Sequence, residues 1–308
     1  MYQCYDNKFA MPGEIISVTP KLIKELTPSR LISSRKGDNG IVLVVGGSEI
    51  YHGAPLLSSI AALRAGVDLV YTAVPKSNVG VTRSFSPNLI VLPLPSDILT
   101  IGSTKRLMRI LPKRTNTAAI GMGMSLERPK ALIHLIDELK SMETKLLLDA
   151  SSLIPEVLPH ISGTNTVVTP HYGEYKRLFG QENDIGSEIR LEEQISNVHK
   201  LARKYGITII LKGYNNIICD GSQHERTAVI RRTTPAMTVG GCGDVLSGVV
   251  AGLLTKMQPF DASILGVYLN GMAAYQSYQK IGLHMIATDL IDELPTAMKP
   301  FDAIDQPT

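Results

Sequence analysis

Short runs of aliphatic and β-branched residues alternate along this chain with stretches in which apolar residues recur every three or four positions. Runs that are apolar throughout, rather than at every second residue, are typical of strands covered on both faces. Strands that alternate with helices predict right-handed crossovers and a parallel sheet between two layers of helices. We expect strands at residues 41–45, 69–74, 89–94, 118–120, 145–148, 166–169 and 207–211.

The stretches between these runs predict helices, and one pair of strands breaks the alternation. Residues 216–220 and 227–230 flank Gly221-Ser222 and predict an antiparallel hairpin at one edge of the sheet. The expected fold class is therefore α/β, a three-layer α/β/α sandwich with a mostly parallel central sheet and an antiparallel edge hairpin. The expected helices lie at 54–65, 104–111, 129–142, 188–205, 245–256 and 261–278.

The sequence of 308 residues has no Pro-, Gly- or Ser-rich linker, low-complexity tract or internal repeat. Because 44% of its residues are hydrophobic, it can bury a substantial core. We predict a single domain at 19–300. A lead-in at 1–18, poorly ordered or locally docked, precedes this domain, and a tail at 301–308 follows it.

Charge, cysteine usage and hydropathy argue against several classes of protein. The formal net charge of +3 comes without a long basic block, which gives nucleic-acid binding no support. Cys4, Cys219 and Cys242 are odd in number and widely spaced, which argues against a disulfide framework and a zinc site. The apolar runs are too short to cross a bilayer and the N-terminus lacks the features of a signal peptide, so we expect a cytoplasmic protein that binds no membrane.

Five sets of glycine or polar residues follow directly on predicted strands. In a parallel sheet the carboxyl ends of the strands share one rim, and ligands bind beyond it. We therefore expect a crevice lined by backbone N–H groups, one lysine and one histidine. The sets are Gly46-Gly47-Ser48, Gly121-Met122-Gly123, Asp149-Ala150, Thr169-Pro170-His171 and Lys212-Gly213.

Each of these sets also has an ordinary structural interpretation as a turn. Lys212 is either a phosphate ligand or a solvated surface lysine. The residues around His171 favour a packed or turn position for this side chain. Asp149 and Glu174 either satisfy helix termini or position a magnesium ion through water, since Mg²⁺ keeps much of its hydration when it bridges phosphates.

The segment Gly240-Gly241-Cys242-Gly243-Asp244 precedes an apolar run that predicts a helix. Glycines allow the backbone to approach a ligand closely, and the first N–H groups of a helix bind anions. A carboxylate there repels phosphate, so its presence needs an explanation. A catalytic base that takes a proton from a hydroxyl group attacking the phosphate provides one. The segment predicts an anion hole at Gly240, Gly241, Cys242 and Gly243 with Asp244 as a base in phosphoryl transfer. The alternative is a glycine turn with Asp244 as the helix N-cap.

Read in order, these motifs resemble those of the NAD(P)H-hydrate dehydratases, repair enzymes of the ribokinase-like superfamily. The resemblance covers about residues 19–299, and the ordered set is far more specific than any single motif. The epimerase domain that is usually fused to these enzymes has no counterpart in this sequence. The matching segments are 36–40, 44–48, 51–55, 61–66, Val168-Thr169-Pro170-His171-Tyr172-Gly173-Glu174, Leu211-Lys212-Gly213, 237–244, 266–269 and 287–290.

The resemblance implies an enzyme that uses ADP or ATP with Mg²⁺ to phosphorylate the ring hydroxyl of hydrated NADH or NADPH. Phosphate leaves more easily than hydroxide, so its elimination would restore the dihydronicotinamide. Asp244 would take the hydroxyl proton. The resemblance also favours a homo-oligomer, and it implies no direct metal ligand but a water-mediated Mg²⁺ near Glu174. Substrate contacts are implied at Ala54, Gly123, His171 and Asp244, and nucleotide contacts at Lys212, Gly213, Tyr214, Asn215, Asn216 and Gly243.

Several positions depart from the family pattern. Cys242 stands where threonine is usual, and Thr238-Val239 replaces Ala-Thr. A Gly-Pro-Gly-Leu-Gly segment appears as residues 121–125, with methionines at its second and fourth positions and a serine at its fifth. Ser151 replaces an aspartate and removes a carboxylate, and Asn270 stands where histidine is common.

Three functions remain open at this point. The first is the dehydratase, the second a small-molecule kinase of the same superfamily that acts on a hydroxyalkyl heterocycle or a sugar alcohol, and the third a nucleotide-binding regulatory protein without catalysis. Fold analogy does not separate them, because one fold supports many chemistries. The choice between ADP and ATP also stays open.

Small residues at 245–254 and 265–274 permit close helix packing, either within the subunit or between subunits.

Overall fold

The computed structural model describes residues 13–180, 185–186 and 188–306. Residues 1–12 of the predicted lead-in, with Cys4, and residues 307–308 of the tail lie outside this part. The strands are β1 (Glu14–Ile16), β2 (Arg30–Leu31), β3 (Ile41–Val45), β4 (Leu69–Pro75), β5 (Ile90–Leu94), β6 (Thr117–Ile120), β7 (Lys145–Leu148), β8 (Thr166–Val168), β9 (Thr208–Leu211), β10 (Asn215–Cys219), β11 (Arg226–Arg231) and β12 (Ile304–Asp305).

The α-helices surround this set of strands. They are α1 (Pro20–Leu26), α2 (Gly53–Arg64), α3 (Val79–Phe85), α4 (Ile101–Ile110), α5 (Pro129–Ser141), α6 (Leu158–Ile161), α7 (Tyr172–Phe179), α8 (Leu191–Tyr205), α9 (Cys242–Leu254), α10 (Pro259–Ile281) and α11 (Ala287–Met298). Of the described residues, none belong to a helix that is both long and apolar enough to span a lipid bilayer.

Ten strands form one sheet in the order β1-β11-β10-β9-β8-β7-β6-β3-β4-β5. The strands from β3 to β9 run parallel to one another, and β10 is antiparallel to both of its neighbours. The predicted mostly parallel sheet and its hairpin are thus confirmed. Strand β1, which falls within the predicted lead-in, pairs with β11 and lies outside the hairpin. In the predicted tail, β12 pairs with β2 in a separate two-stranded sheet.

Alternate residues of each central strand face opposite layers of helices. In β3, Val42 and Val44 belong to a buried cluster with α2, α9, α10 and α11. Leu43 and Val45 belong to a second buried cluster with α4, α5 and α8. Both faces of the strand are therefore covered by helices, which explains why it is apolar at every position.

Helices α2 and α9 pack closely because α9 carries small residues on the contact face. A Cβ atom built on Gly248 would lie 2.1 Å from the backbone oxygen of Ser58, and one on Gly252 would lie 2.8 Å from the Cβ of Ala65. A Cβ on Gly266 of α10 would likewise lie 2.5 Å from Val250. These three glycines therefore serve close helix packing within the chain.

Helix boundaries were harder to predict than strand boundaries. Helix α4 begins at Ile101, three residues before its predicted start. The reason is Thr100, whose side chain accepts a hydrogen bond from the backbone N–H of Ser103 and caps the helix. Sequence periodicity identifies the apolar face of a helix, whereas a cap determines its first residue. Five shorter or partly polar helices, α1, α3, α6, α7 and α11, were not predicted.

Candidate active site

The residues predicted to follow the strands meet at one rim of the sheet. Strands β9, β8, β7, β6 and β3 lie side by side, so Lys212, His171, Asp149, Gly121 and Gly46 follow neighbouring strands. His171 and Lys212 form a parallel β-bridge just beyond β8 and β9. The residues that follow these five strands therefore lie side by side at one rim, as the topology predicted.

The glycine loop enters α9 through a left-handed residue. Gly241 has a φ of 96° and is the N-cap of α9, while Asp244 is the third residue of the helix. The alternative interpretation of Asp244 as the N-cap is therefore wrong. Its carboxylate lies in the first helical turn, where free backbone N–H groups and the positive end of the helix dipole are found.

Gly241 also lies in a confined space, which leads to a prediction. A Cβ atom on Gly241 would lie 2.7 Å from the Cδ1 of Leu57 and 2.8 Å from the Cβ of Ala287. We expect Gly241→Ala to lower the free energy of unfolding by about 2–4 kcal/mol, because it combines left-handed strain with overpacking. Urea denaturation measures this loss.

Gly240→Ala is the matched control for that substitution. Among the described residues, nothing lies within 4 Å of a Cβ built on Gly240. We expect its unfolding free energy to stay within about 0.5 kcal/mol of the parent protein. Equal losses for the two variants would contradict the view that Gly241 is needed for its conformation.

Lys212 is surrounded by carboxylates from three different elements. Its Nζ donates to Oδ1 of Asp149 at 2.7 Å and lies 3.7 Å from Oε2 of Glu174. The hydroxyl of Ser247 in α9 donates to the other oxygen of Asp149, also at 2.7 Å. A Cβ atom on Gly243 would lie 3.5 Å from Nζ of Lys212, so the glycine loop reaches the same ammonium group.

The charges of the Lys212–Asp149 pair are stabilised by each other. Burial favours the protonated form of Asp149, but the Lys212 ammonium and the Ser247 hydroxyl outweigh this effect and lower the pKa of Asp149. Burial likewise favours a neutral amine, but the carboxylates of Asp149, Glu174 and Asp244 raise the pKa of Lys212. Lys212 is therefore a fixed cation and not the solvated surface lysine of the alternative interpretation.

Asp244 differs from the other carboxyl groups of the site. Burial and the nearby Asp149 carboxylate raise the pKa of Asp244 to about 7, against the opposing effect of Lys212. A carboxyl group with this pKa exchanges its proton near neutral pH, as a general base requires. The neighbouring Cys242 thiol stays protonated, because burial and Asp244 raise its pKa to about 11.

A pocket of about 360 Å³ opens beside the glycine loop. Five of the six predicted nucleotide-binding residues line this pocket, and Asn215, which lies in β10, does not border it. Apolar side chains from β11, α9 and α10 form much of the remaining wall. The lining from the predicted set is Lys212, Gly213, Tyr214, Asn216 and Gly243.

Two of the predicted substrate contacts, Ala54 and Gly123, lie against each other. A Cβ atom on Gly123 would lie 3.0 Å from the Cβ of Ala54 and 2.8 Å from that of Tyr51, so these residues adjoin. Ser58, one helical turn after Ala54 in α2, donates its hydroxyl to the backbone oxygen of Asp244 at 2.7 Å. Helix α2, which carries Ala54, is therefore hydrogen-bonded to the first turn of α9.

His171 has a structural role at the start of α7. Its Nδ1 accepts hydrogen bonds from the N–H groups of Gly173 and Glu174, at 3.0 and 3.2 Å. The Glu174 carboxylate in turn accepts from the His171 N–H at 2.9 Å and completes a capping box for α7. The side chain of His171 is still 59% exposed at the rim, so its ring remains open to a ligand.

The charged side chains of the site suit a magnesium ion that is bound to the nucleotide phosphates. The described residues contain no group of three or more His, Cys, Asp or Glu side chains placed to hold a metal. One ammonium group, that of Lys212, faces the three carboxylates of Asp149, Glu174 and Asp244, and nucleotide phosphates would add further negative charge. A divalent cation bound to the phosphates relieves this excess of negative charge.

A family model described as NAD(P)H-hydrate dehydratase matches residues 42–296. The chain belongs to this family. The matched residues include the glycine loop, Lys212 and the segments around Ala54 and Gly123.

Two curated dehydratases are similar over nearly their entire length. The ADP-dependent (S)-NAD(P)H-hydrate dehydratase of Nitrosopumilus maritimus is 53% identical over 94% of this chain and 98% of the relative. The enzyme of the same name from Cenarchaeum symbiosum is 48% identical over 92% of this chain and 96% of the relative. The bifunctional NAD(P)H-hydrate repair enzyme of Pyrobaculum aerophilum is 37% identical, and this chain matches 56% of its length.

Solved structures share the fold. A ribokinase-like superfamily protein from Enterococcus faecalis superposes with a TM-score of 0.76 at 22% identity, over 97% of this chain and 99% of that chain. A Bacillus subtilis ADP/ATP-dependent NAD(P)H-hydrate dehydratase, co-crystallised with ATP and Mg²⁺, gives a TM-score of 0.75 at 22% identity. It covers 92% of this chain and 98% of that chain. The predicted ribokinase-like fold is confirmed.

The departures from the dehydratase pattern leave the framework of the site intact. Cys242 is buried as the first residue of α9, where its backbone serves the helix as a threonine would. The N–H of Ser151 donates to the oxygen of Gly121 at 3.3 Å, and the carboxylate beside Lys212 comes from Asp149. Sequence reasoning missed Ser247, the partner of Asp149. Its only signal is a hydroxyl residue one helical turn after Asp244 in an otherwise apolar run.

Proposed function

We propose that this chain is an ADP-dependent (S)-NAD(P)H-hydrate dehydratase in which Asp244 is the catalytic base. The observation that carries the proposal is the Asp244 carboxyl group, which directly follows Gly243 of the 360 Å³ pocket and whose pKa burial and the Asp149 carboxylate raise to about 7. ADP is favoured as the donor because both full-length relatives, at 53% and 48% identity, are named ADP-dependent.

The proposed reaction has two steps. Asp244 takes the proton of the ring hydroxyl while the hydroxyl oxygen attacks the terminal phosphorus of ADP, and the bond from that phosphorus to the bridging oxygen breaks to release AMP. The phosphate then leaves the ring carbon with the electron pair of the carbon–oxygen bond, and the adjacent ring carbon gives up a proton to water. The new carbon–carbon double bond restores the dihydronicotinamide, and phosphate leaves with the oxygen of the added water.

Fixed groups of the chain stabilise the transferring phosphoryl group. The free N–H groups at the start of α9, around Gly241 to Gly243, would donate hydrogen bonds to its oxygens as charge develops there. Lys212 is held as a cation by Asp149, which positions it for the phosphates without reorganisation. Mg²⁺ bound to the nucleotide would neutralise phosphate charge, and Glu174 is the carboxylate proposed to hold one of its waters.

The proposal is tested with purified protein and hydrated NADH. Recovery of dihydronicotinamide absorbance is expected with ADP and Mg²⁺, and neither the protein nor the nucleotide alone should produce it. ATP in place of ADP tests the choice of donor. No recovery with either nucleotide would refute the dehydratase, and a stable phosphorylated product on a panel of small alcohols would support the kinase alternative.

The raised pKa of Asp244 leads to a prediction for pH dependence. A base must be ionised to act, so activity is lost as the pH falls through the pKa of about 7 in the folded enzyme. We expect kcat/KM to fall about tenfold per pH unit below this value and to be level above it. Initial rates between pH 5.5 and 8.5 measure it, and a flat profile over this range would contradict the assignment.

We also propose that the protein acts in the cytoplasm as a homo-oligomer with one catalytic domain at 19–300. The family resemblance supports the oligomer, and the free, buried thiols of Cys219 and Cys242 suit a reducing compartment. Size-exclusion chromatography with light scattering tests the oligomeric state, and a monomer at micromolar concentration would refute it.

A further inference from the structure

The proposed nucleotide pocket contains two asparagine side chains, and one of them is already used by the protein. The Nδ2 of Asn216 donates to the backbone oxygen of Ile230 at 3.1 Å. Its Oδ1 accepts from the N–H of Gly213 at 3.4 Å. This carboxamide therefore holds the loop after β9 against β11 through both its nitrogen and its oxygen.

The second asparagine, Asn270, lies in the middle of α10 and lines the same pocket. Its side chain is 3% exposed, and its Oδ1 has no hydrogen-bond partner among the described residues. The backbone oxygen of the following residue, Gly271, already accepts a hydrogen bond from the hydroxyl of Thr233 at 2.7 Å. A buried acceptor without a donor is costly, and native proteins rarely keep one without a reason.

The walls around Asn270 suit a flat heterocycle. Ile230, Met237, Leu246 and Val267 supply apolar surface, and Tyr172 adds an aromatic ring. The same pocket is bordered by Lys212 and Gly243, which attract phosphate. A ligand that fills it would place its charged groups at these residues and an uncharged ring against the apolar walls.

The carboxamide of Asn270 matches one base edge in particular. Its oxygen accepts a hydrogen bond from an exocyclic amino group, and its NH₂ group donates to an adjacent ring nitrogen. Adenine presents this pair of groups side by side, and asparagine recognises it in that manner in other complexes. A rotation of the carboxamide by half a turn exchanges its oxygen and nitrogen within the same volume.

We propose that Asn270 binds the amino-bearing edge of the adenine ring of ADP and makes the pocket selective for adenine. This inference rests on the proposed function, because it takes the pocket to be the ADP site. Asn270 is a specificity residue in this scheme, and phosphoryl transfer itself does not require it.

Calorimetric titration with ADP and with purine riboside diphosphate, both with Mg²⁺, tests this inference. The second compound lacks only the exocyclic amino group. The parent protein should bind ADP roughly ten- to a hundredfold more tightly, since the analogue leaves the Asn270 oxygen without a donor. The variant Asn270→Leu, of similar volume, should bind ADP that much more weakly and bind the two compounds equally.

Ser277→Ala is the matched control. Ser277 lies two turns further along α10, is buried and has no partner for its hydroxyl among the described residues, but it does not border the pocket. The Ser277→Ala variant should prefer ADP over purine riboside diphosphate as strongly as the parent protein does. Asn270→Leu without ligand should melt no lower than the parent protein, because the substitution removes an unsatisfied acceptor. Asn270→Ala repeats the binding test if the leucine variant does not fold.

The adenine ring of NADH must be distinguished from that of ADP. We expect Asn270→Leu to leave the affinity for NADH unchanged. If it weakened NADH binding and not ADP binding, Asn270 would belong to the substrate side and the inference would be wrong. Equal affinities of the parent protein for ADP and its deamino analogue would also overturn it, without any variant.

The outcome is separable from that of the proposed function. Adenine selectivity that depends on Asn270, found in a protein that does not restore hydrated NADH, would refute the dehydratase and support the inference. A dehydratase that binds the two nucleotides equally would support the function and refute the inference.

Discussion

Replacement of Asp244 by asparagine is expected to lower kcat by about 10²–10⁴-fold, because the amide cannot accept the hydroxyl proton. The amide occupies the same volume in the first turn of α9, so the affinity for ADP should change less than about threefold. Steady-state rates with hydrated NADH and calorimetric titration with ADP measure the two effects. Near-normal turnover of this variant would refute the assignment of Asp244 as the base.

The same variant is expected to be more stable than the parent protein at pH 8. The folded pKa of Asp244 lies above its ordinary value of 3.8, so the fold disfavours the ionised carboxylate. This penalty is absent below the unfolded pKa, grows as the pH rises and is complete above about 7. A neutral amide removes it, and we expect a gain of about 2 kcal/mol at pH 8 and less at pH 5.5. Urea denaturation at both pH values measures the gain.

Glu193→Gln provides the matched control for Asp244→Asn. Glu193 is also the third residue of its helix, α8, and it is exposed. Its substitution should leave kcat unchanged and should lower stability slightly, since it removes a favourable charge from the helix N-terminus. If Asp244→Asn instead lost stability at pH 8, the carboxylate would be a structural group of α9.

Replacement of Lys212 by methionine is expected to cost about 3–5 kcal/mol of stability and to abolish measurable turnover. Methionine fills a similar volume but leaves the Asp149 carboxylate, which is 2% exposed, without its cation. Burial then raises the pKa of Asp149, because the carboxylate has lost the ammonium group 2.7 Å away. Urea denaturation at pH 7 measures the loss of stability.

The double variant Lys212→Met with Asp149→Asn isolates the pair. It should be more stable than Lys212→Met alone, because no unpaired charge is left in the interior. Lys280→Met serves as the surface control: its ammonium lies 2.7 Å from Glu293 but is 61% exposed, and less than about 1 kcal/mol should be lost. Equal losses for Lys212→Met and Lys280→Met would mean that the buried pair contributes nothing beyond a surface ion pair.

Sequence patterns were sufficient for the architecture of the sheet. The all-apolar run at β3 could be interpreted as a covered strand, because its residues face two layers of helices in turn. The rule that parallel strands end at one rim then grouped Asp149, His171 and Lys212 before any distance was known. The start of α4 was missed by three residues, since its cap depends on the single side chain of Thr100 and not on periodicity.

The interpretation of His171 required the structure. Its sequence context was compatible with a ligand contact or a turn residue, and the structure shows a capping box with Glu174. Glu174 in turn faces Lys212 at 3.7 Å. One carboxylate therefore serves both the start of α7 and the charge balance of the site, which no pattern within a single segment could indicate.

The order of strands and helices, the glycine turn before α9 and the residues that reach the rim were determined by the sequence itself, because they depend on neighbours within a few positions. The protonation behaviour of Asp244, the pairing of Asp149 with a serine 98 residues away and the unsatisfied oxygen of Asn270 were decided only by the tertiary structure. Burial and charge act through space, and the sequence alone does not state which distant groups come within a few ångströms of each other.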